Sequence, residues 1–220
     1  SLDRIIGLTY TTTMSRCRGC VNHCVLTINR FDGGRKFISG NRCSRPLGQE
    51  KVDIPDLLKF KYQYLRSLQG KGEGDGSRGK IGIPFGLNMY ENLPFWFTLF
   101  TTLNFEVVLS PESTRSLYLK GQQTIPSDTV CYPAKLLHGH IMALLEEGID
   151  TIFYPCMSYN FDEHLSDNHY NCPVVAYYPD LLGVNIPALE DIKYLHPNLG
   201  LHRPKDFEKK GAQLLETEFG

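Results

Sequence analysis

The period of the hydrophobic pattern changes along this chain. After residue 79, short apolar runs alternate with longer segments whose apolar residues recur every three or four positions. The short runs predict buried strands and the longer segments predict helices. The predicted strands are 80–84, 105–109, 151–154 and 174–178, and the predicted helices are 91–103, 114–121, 132–147 and an amphipathic tail over 207–219. This alternation predicts a Rossmann-like α/β domain, with a parallel sheet and helices on both faces.

The first third of the chain predicts a smaller module. Residues 25–28 and 36–39 read as two strands that Asp32, Gly33 and Gly34 join as a β-hairpin. The apolar spacing in 54–68 predicts a helix, and 70–79 has five glycines and no apolar side chain, which predicts a loop or linker. We therefore expect a module with its connecting helix over 1–69, a linker over 70–79 and the α/β domain over 80–220.

Composition and charge narrow the classes of protein. The 220 residues include 23 basic and 24 acidic ones, and this balance gives no field that would attract nucleic acid or an anionic membrane. No apolar run reaches the roughly 20 residues that span a bilayer. Seven cysteines without a secretory signal indicate a reducing, cytoplasmic compartment and disfavour a disulfide framework.

Four cysteines crowd the small module: Cys17, Cys20, Cys24 and Cys43. The Cys-x2-Cys spacing places two thiolates on one tight turn, and the hairpin returns Cys43 toward them, so four thiolates could bind Zn²⁺ or an iron–sulfur cluster. His23 could replace one thiolate. A segment too short to form a hydrophobic core needs a bound metal to stabilise its fold, which favours zinc. Three thiolates within eight residues are also typical of iron–sulfur loops, so the metal stays open.

Two further cysteines fall where the predicted sheet would carry function. Cys131 begins the predicted helix 132–147 and Cys156 follows the strand 151–154, which places both at the carboxyl edge of the sheet. The positive end of a helix favours a thiolate at Cys131, while the alternative is that both are small buried apolar residues. Cys172 precedes the predicted strand 174–178, so we expect it at the opposite edge, away from a shared metal.

Several phrases of the sequence resemble a known family. They are Ile81–Pro84 with Leu87–Asn92, Phe105–Ser110, Ile125–Lys135, Phe153–Cys156 and, in the first module, Phe37–Cys43. Together they resemble the domain fused to CoA-substrate-specific enzyme activases, and the likeness extends to about Gly200.

The resemblance implies a fold and a chemistry. The family is similar to the iron–sulfur subunits of 2-hydroxyacyl-CoA dehydratases, which hold a 4Fe-4S cluster and accept an electron from an ATP-driven activator in anaerobes. It implies that Cys131 and Cys156 are cluster ligands and that a third ligand comes from a later domain, so the cluster is expected to be absent from this chain alone. Ser127, Asp128 and Lys135 would be polar neighbours of the cluster or of a thioester substrate.

Two functions are consistent with these observations. The chain lacks a Gly-x4-Gly-Lys-[Ser/Thr] phosphate loop, so we expect the ATPase in another part of the parent protein or in a partner. The first hypothesis is a piece of a protein that supports ATP-dependent, low-potential electron transfer to a CoA-ester dehydratase or reductase. The second is a non-catalytic docking module, stapled by zinc, that binds an activator or a CoA-enzyme partner. The expected partners are the activator ATPase and a missing C-terminal domain.

Overall fold

The computed structural model describes residues 6–20, 22–48 and 55–220. The chain divides into two compact units, Ser1–Asp56 and Leu57–Gly220. The predicted connecting helix is present as α1 (Leu57–Arg66), and residue 54, where we expected it to begin, lies outside the described residues. Leu65 on α1 lies in the hydrophobic core of the second unit. The helix is therefore part of the α/β unit rather than of the small module.

The first unit contains a three-stranded antiparallel sheet. Its strands are β1 (Tyr10–Arg16), β2 (Val25–Phe31) and β3 (Lys36–Ser39), in the order β1-β2-β3. The predicted hairpin is confirmed as β2 and β3, with Gly33 and Gly34 in the left-handed region at φ of 82° and 80°. β1 was not predicted, because its three threonines and flanking polar residues carry no apolar alternation.

The second unit is built on a four-stranded parallel sheet. The strands are β4 (Lys80–Ile83), β5 (Glu106–Leu109), β6 (Thr151–Phe153) and β7 (Lys193–Leu195), in the order β5-β4-β6-β7. The remaining helices are α2 (Asn88–Thr102), α3 (Arg115–Gly121), α4 (Tyr132–Glu146), α5 (Pro173–Asn185) and α6 (Pro204–Phe219). The predicted α/β architecture with a parallel sheet is confirmed.

The helices cover both faces of the sheet. In a parallel sheet with the order β5-β4-β6-β7, the right-handed crossover rule puts α2 on one face. The same rule puts α3, α4 and α5 on the other face. On the first face, the Trp96 ring of α2 lies 4.8 Å from Phe153 and 5.9 Å from Phe207 of α6. On the second face, α4 contacts α5 through a hydrogen bond between His138 and Tyr178. The core lies between these two helical layers and the sheet.

One predicted strand is wrong. Residues 174–178 lie in α5, and the fourth strand is β7, which was not predicted. A short apolar run does not distinguish a buried strand from a buried helix. Pro173 occupies the first turn of α5, where its missing N–H is not needed. β7 has only three residues and begins with a lysine, so it carries little apolar signal.

The glycine-rich segment packs on α2. A Cβ atom on Gly72 would lie 2.3 Å from Cγ2 of Thr101, and one on Gly74 would lie 2.1 Å from the Thr101 carbonyl oxygen. These positions require glycine because the loop backbone approaches the helix closely. The segment is therefore a loop of the second unit, held against α2.

Candidate functional site

Three cysteines lie at the carboxyl edge of the parallel sheet. A helix that joins parallel strands runs antiparallel to them, so the N-termini of α4 and α5 lie at the edge where β6 ends. Cys131 is the N-cap of α4, Cys172 is the N-cap of α5, and Cys156 follows β6. Cys131 and Cys172 are exposed, whereas Cys156 is buried.

The expected position of Cys172 is therefore wrong. We placed it at the opposite edge because a strand was predicted over 174–178. Since these residues form α5 instead, Cys172 begins a helix at the same edge as Cys131, and α4 and α5 lie side by side. The topological argument against Cys172 as a ligand no longer holds.

The backbone after β6 directs Cys156 toward α4 and α5. The chain remains extended, with the Tyr154 N–H donating to Leu195 O at 2.9 Å and the Cys156 N–H donating to Pro197 O at 2.9 Å. Side chains two residues apart on an extended chain share a face. Phe153 faces Trp96 on α2, so Tyr154 and Cys156 face the other helical layer.

Helix α5 carries groups close to both predicted ligands, Cys131 and Cys156. The pKa of Tyr178 is raised to about 12, mainly by burial and to a smaller extent by the nearby Cys131. The pKa of Cys156 is raised to about 12, mainly by burial and to a smaller extent by the Asp180 carboxylate. Asp180 also accepts a hydrogen bond from His196 Nδ1 at 2.8 Å. The raised pKa favours the neutral thiol of Cys156, so a metal that binds there would have to displace its proton.

The predicted polar neighbours of Cys131 bond to one another. Lys135 Nζ donates to the Asp128 carbonyl oxygen at 2.8 Å and lies 3.8 Å from the Asp128 carboxylate. The Ser127 and Thr129 hydroxyl groups lie 2.8 Å apart. These bonds fasten the loop that leads into α4, and so they position Cys131.

Tyr154 is a feature of this edge that the sequence reading missed. Its side chain is 0 % exposed, and its hydroxyl has no hydrogen-bond partner among the described residues. Burial raises the pKa of Tyr154, and the nearby titratable groups of Cys156 and Tyr178 raise it further. The available signal was an aromatic residue two positions before a cysteine on an extended strand.

A cavity of about 490 Å³ opens beside Cys156. Its walls include Tyr159 and Tyr170, whose rings lie 4.8 Å apart, and His202, whose ring lies 4.6 Å from Tyr159. Arg203 and Lys210 line the same cavity. The cavity therefore presents aromatic and basic side chains at the sheet edge, next to the backbone that carries Cys156.

In the first unit, Cys17 and Cys24 lie opposite each other at the ends of β1 and β2. The Cys17 N–H donates to Cys24 O at 2.9 Å, and the His23 N–H donates to Cys20 O at 3.3 Å. The Gly19 N–H donates to Cys17 Sγ at 3.4 Å. His23 Nδ1 lies 3.3 Å from Cys17 O, so this nitrogen is oriented toward the backbone.

Cys43 lies in the loop that follows β3. Arg45 Nη1 in the same loop donates to Gly19 O at 2.7 Å, which joins this loop to the turn that carries Cys17 and Cys20. Within the described residues, no group of three or more His, Cys, Asp or Glu side chains is close enough to hold a metal ion. Ligation by Cys17, Cys20, Cys24 and Cys43 therefore stays a prediction.

The comparison with protein families decides what the second unit is. A family model for the CoA enzyme activase uncharacterised domain matches residues 80–220, which is more than half of the chain. The chain belongs to this family. Membership supports a role of the CoA enzyme activase kind and a CoA-enzyme partner in general. Neither the curated proteins nor the solved structures include a match.

Within the part of the chain that is described, the activase-family protein has no helix long and apolar enough to cross a bilayer. The matched residues contain all of the parallel sheet and the three cysteines at its carboxyl edge. The first sheet, with its four cysteines, lies before the matched region.

Proposed function

We propose that this activase-family chain takes part in ATP-dependent, low-potential electron transfer to a CoA-ester dehydratase or reductase, through an iron–sulfur cluster at the carboxyl edge of its parallel sheet. The observation that carries the proposal is the placement of Cys131, Cys156 and Cys172 at one edge and beside adjacent helices. ATP hydrolysis would be supplied by an activator ATPase, which is the expected partner. A cytoplasmic location is part of the same proposal.

The residues present fit an iron–sulfur cluster in their donor chemistry. Cysteine thiolates are the usual protein ligands of such clusters. The edge also contains a buried hydroxyl without a partner among the described residues, that of Tyr154. Among the described residues the thiols are not gathered to ligation distance, and the raised pKa of Cys156 favours its thiol form. Binding would therefore release a proton and draw the side chains together.

We propose Cys172 as the third ligand of this site. Cys131 and Cys172 have equivalent positions, since each is the N-cap of a helix whose second or first residue is a proline. The positive ends of both helices would stabilise a negatively charged cluster bound beside them. When bound, the cluster would supply one-electron redox chemistry beside α5, whose Asp180 lies near Cys156 and whose Tyr178 lies near Cys131.

Iron uptake tests the proposal. Full-length protein, purified without oxygen, is reconstituted with iron and sulfide, and its iron content, visible absorption and electron paramagnetic resonance spectrum are recorded. We expect the wild type to bind iron and sulfide, and the triple variant Cys131→Ser, Cys156→Ser, Cys172→Ser to lose this centre. The matched control is Cys17→Ser with Cys20→Ser, which leaves the sheet edge intact.

The single variants assign the ligands. Loss of the signal in Cys172→Ser, with retained circular dichroism, supports three ligands from this chain. Iron binding that is unchanged in the triple variant would contradict a cluster at this edge. In that case the zinc-stapled docking module becomes the better account of the chain.

We also propose a structural metal centre in the first unit, with zinc as the favoured metal. Supporting observations are the Gly19 amide directed at Cys17 Sγ and the Arg45 contact that joins the Cys43 loop to the same turn. Elemental analysis of zinc and iron tests this centre separately. One zinc per chain that is lost in the Cys17→Ser, Cys20→Ser variant supports it, whereas iron lost in that variant indicates a second cluster.

A further inference from the structure

The cavity beside Cys156 lies where α/β proteins bind small molecules. Its residues come from the segments that follow β6 and β7 and from the first turns of α6, so it lies at the carboxyl edge of the sheet. Its volume of about 490 Å³ falls within the range of about 300–1,000 Å³ that is usual for ligand sites. The position and the volume therefore fit a small molecule.

Aromatic rings form one wall of this cavity. The backbones of Tyr159 and Tyr170 pair in an antiparallel bridge, and their ring centroids lie 4.8 Å apart at an interplanar angle of 86°. The His202 ring packs on Tyr159, and a Cβ atom on Gly200 would lie 2.6 Å from that ring, so glycine leaves the room that His202 occupies. Tyr170 is 72 % exposed although Tyr159 holds its ring. It therefore presents an aromatic surface on which a planar ring can stack.

One positive charge of the cavity has no ion-pair partner among the described residues. Lys210 Nζ lies 2.9 Å from the Asp206 carboxylate, so these two charges offset each other. The Arg203 guanidinium makes no ion pair or hydrogen bond with another described residue. The side chains of Ser158 and Asn198 also line the cavity, and within the described part of the chain they make no hydrogen bond. The cavity therefore offers a positive charge and hydrogen-bonding groups to an anion.

We propose that this cavity binds a nucleotide, with its base stacked on Tyr170 and its phosphate bound by Arg203. An aromatic ring stacks with any base, and a planar guanidinium can pair with two oxygens of one phosphate. An anion without a ring would leave the aromatic wall unused, and a neutral aromatic molecule would leave Arg203 unpaired. The inference goes beyond the proposed function and does not depend on an iron–sulfur cluster.

Calorimetric titration of the full chain, without metal reconstitution, tests the site. The probes are AMP, adenosine and inorganic phosphate. We expect AMP to bind at one site per chain. Adenosine and phosphate each carry only part of the required chemistry, so we expect each to bind at least about tenfold more weakly. No AMP binding at millimolar concentration, or an affinity for AMP no higher than that for adenosine or phosphate, would overturn the proposal.

Two substitutions of exposed side chains assign the contacts. Arg203→Gln should weaken AMP binding about tenfold and leave adenosine binding unchanged. Tyr170→Ala should weaken the binding of both AMP and adenosine about tenfold. If either variant retains its circular dichroism and binds AMP as the wild type does, the proposed contacts are wrong.

The chain offers a matched control for each variant. Arg115→Gln changes an exposed arginine at the start of α3, and Tyr177→Ala changes a tyrosine of α5 that is 55 % exposed. Neither side chain lines the cavity. We expect both controls to bind AMP as the wild type does, and weaker binding in a control would contradict the assignment of the site.

Amide hydrogen exchange locates the bound nucleotide. With saturating AMP, we expect added protection in peptides that cover residues 156–170 and 198–210, which carry the cavity walls. Protection confined to other segments would place the nucleotide elsewhere and overturn the proposal.

Coenzyme A has the same chemistry at its adenosine end, so a titration with coenzyme A distinguishes two sources of the nucleotide. Binding tighter than that of AMP supports the site as one for the adenosine end of coenzyme A. Weaker binding, with AMP bound as expected, supports a free nucleotide.

Discussion

His138 and His140 illustrate how single residues of α4 are used. They are two positions apart on the helix, so their side chains point in different directions and have different partners. His138 bonds to Thr124 and Tyr178, whereas His140 Nδ1 lies 2.7 Å from Ser110 Oγ and its Nε2 lies 2.9 Å from Ser113 Oγ. Both rings are fully buried, and each has partners at both nitrogens. They tie α4 to its surroundings as neutral imidazoles.

Acid should therefore destabilise the protein through these histidines. Burial lowers the pKa of His138 to about 4, and burial with the nearby Arg66 charge lowers that of His140 to about 4. The unfolded chain takes up these protons near pH 6.5 and the folded chain does not, so stability is full above about pH 6.5 and falls as the pH drops toward 4. We expect a loss of about 1.4 kcal/mol per pH unit for each histidine within that window.

Urea unfolding at pH 7, 6 and 5 measures this dependence. The variant His140→Gln should reduce the slope of stability with pH, although it lowers stability at pH 7. The control is His164→Gln, because that side chain is 89 % exposed. Equal pH slopes in wild type and His140→Gln would show that another group controls the acid response.

At the scale of elements, α3 and α4 contact each other through glycines. A Cβ atom on Gly139 of α4 would lie 2.0 Å from the Leu117 carbonyl oxygen of α3. One on Gly121, the last residue of α3, would lie 2.3 Å from the Gly139 nitrogen. Since backbone atoms cannot withdraw as a flexible side chain can, this contact holds the two helices at a fixed distance. The contact positions α4, which begins at Cys131.

The variant Gly139→Ala should separate these helices. Overpacking against a backbone carbonyl is expected to cost about 1–3 kcal/mol of unfolding free energy, despite the better helix propensity of alanine. Gly211→Ala in α6 is the matched control, because the nearest atom to its Cβ is 4.0 Å away. That variant should stabilise the protein by up to about 1 kcal/mol. Chemical denaturation of both variants checks the contrast, and a neutral Gly139→Ala would contradict the close approach.

At the scale of the whole molecule, the two units differ in how they are stabilised. The second unit has a core of fully buried side chains that includes Trp96, Phe105 and Ile152. In the first unit, Leu26 is the single buried side chain among residues 6–20 and 22–48. A sheet with so little buried apolar surface cannot offset the entropy of ordering its chain. This difference agrees with the proposed metal centre of the first unit.

Removal of that metal should unfold the first sheet selectively. After treatment with a chelator, we expect fast amide hydrogen exchange in β1, β2 and β3, with protection retained in β4, β5 and β6. Mass spectrometry of exchanged peptides measures both units in one sample, so the second unit is the internal control. Protection of β1 to β3 that persists without metal would show that this sheet is stable by its own contacts.

The sequence predicted most of the second unit, and the misses have physical reasons. The predicted segments 80–84, 105–109 and 132–147 correspond to β4, β5 and α4, since long apolar periods and short buried runs are strong local signals. The helix boundaries differ by a few residues, as at α2, where the strained Leu87 with φ of 46° precedes the helix. β7 and β1 were missed because short or threonine-rich strands are defined by their pairing partners.

The candidate site also combines features that the sequence predicted with features that only the tertiary structure shows. The sequence by itself determined the cysteine pairs and spacings, the hairpin, the parallel α/β pattern and the family resemblance, because these depend on local order along the chain. Only the tertiary structure placed Cys172 beside Cys131, directed Cys156 toward α5 and left the Tyr154 hydroxyl without a partner. Those relations depend on which strands are neighbours and on which face each helix packs, and no local pattern encodes either.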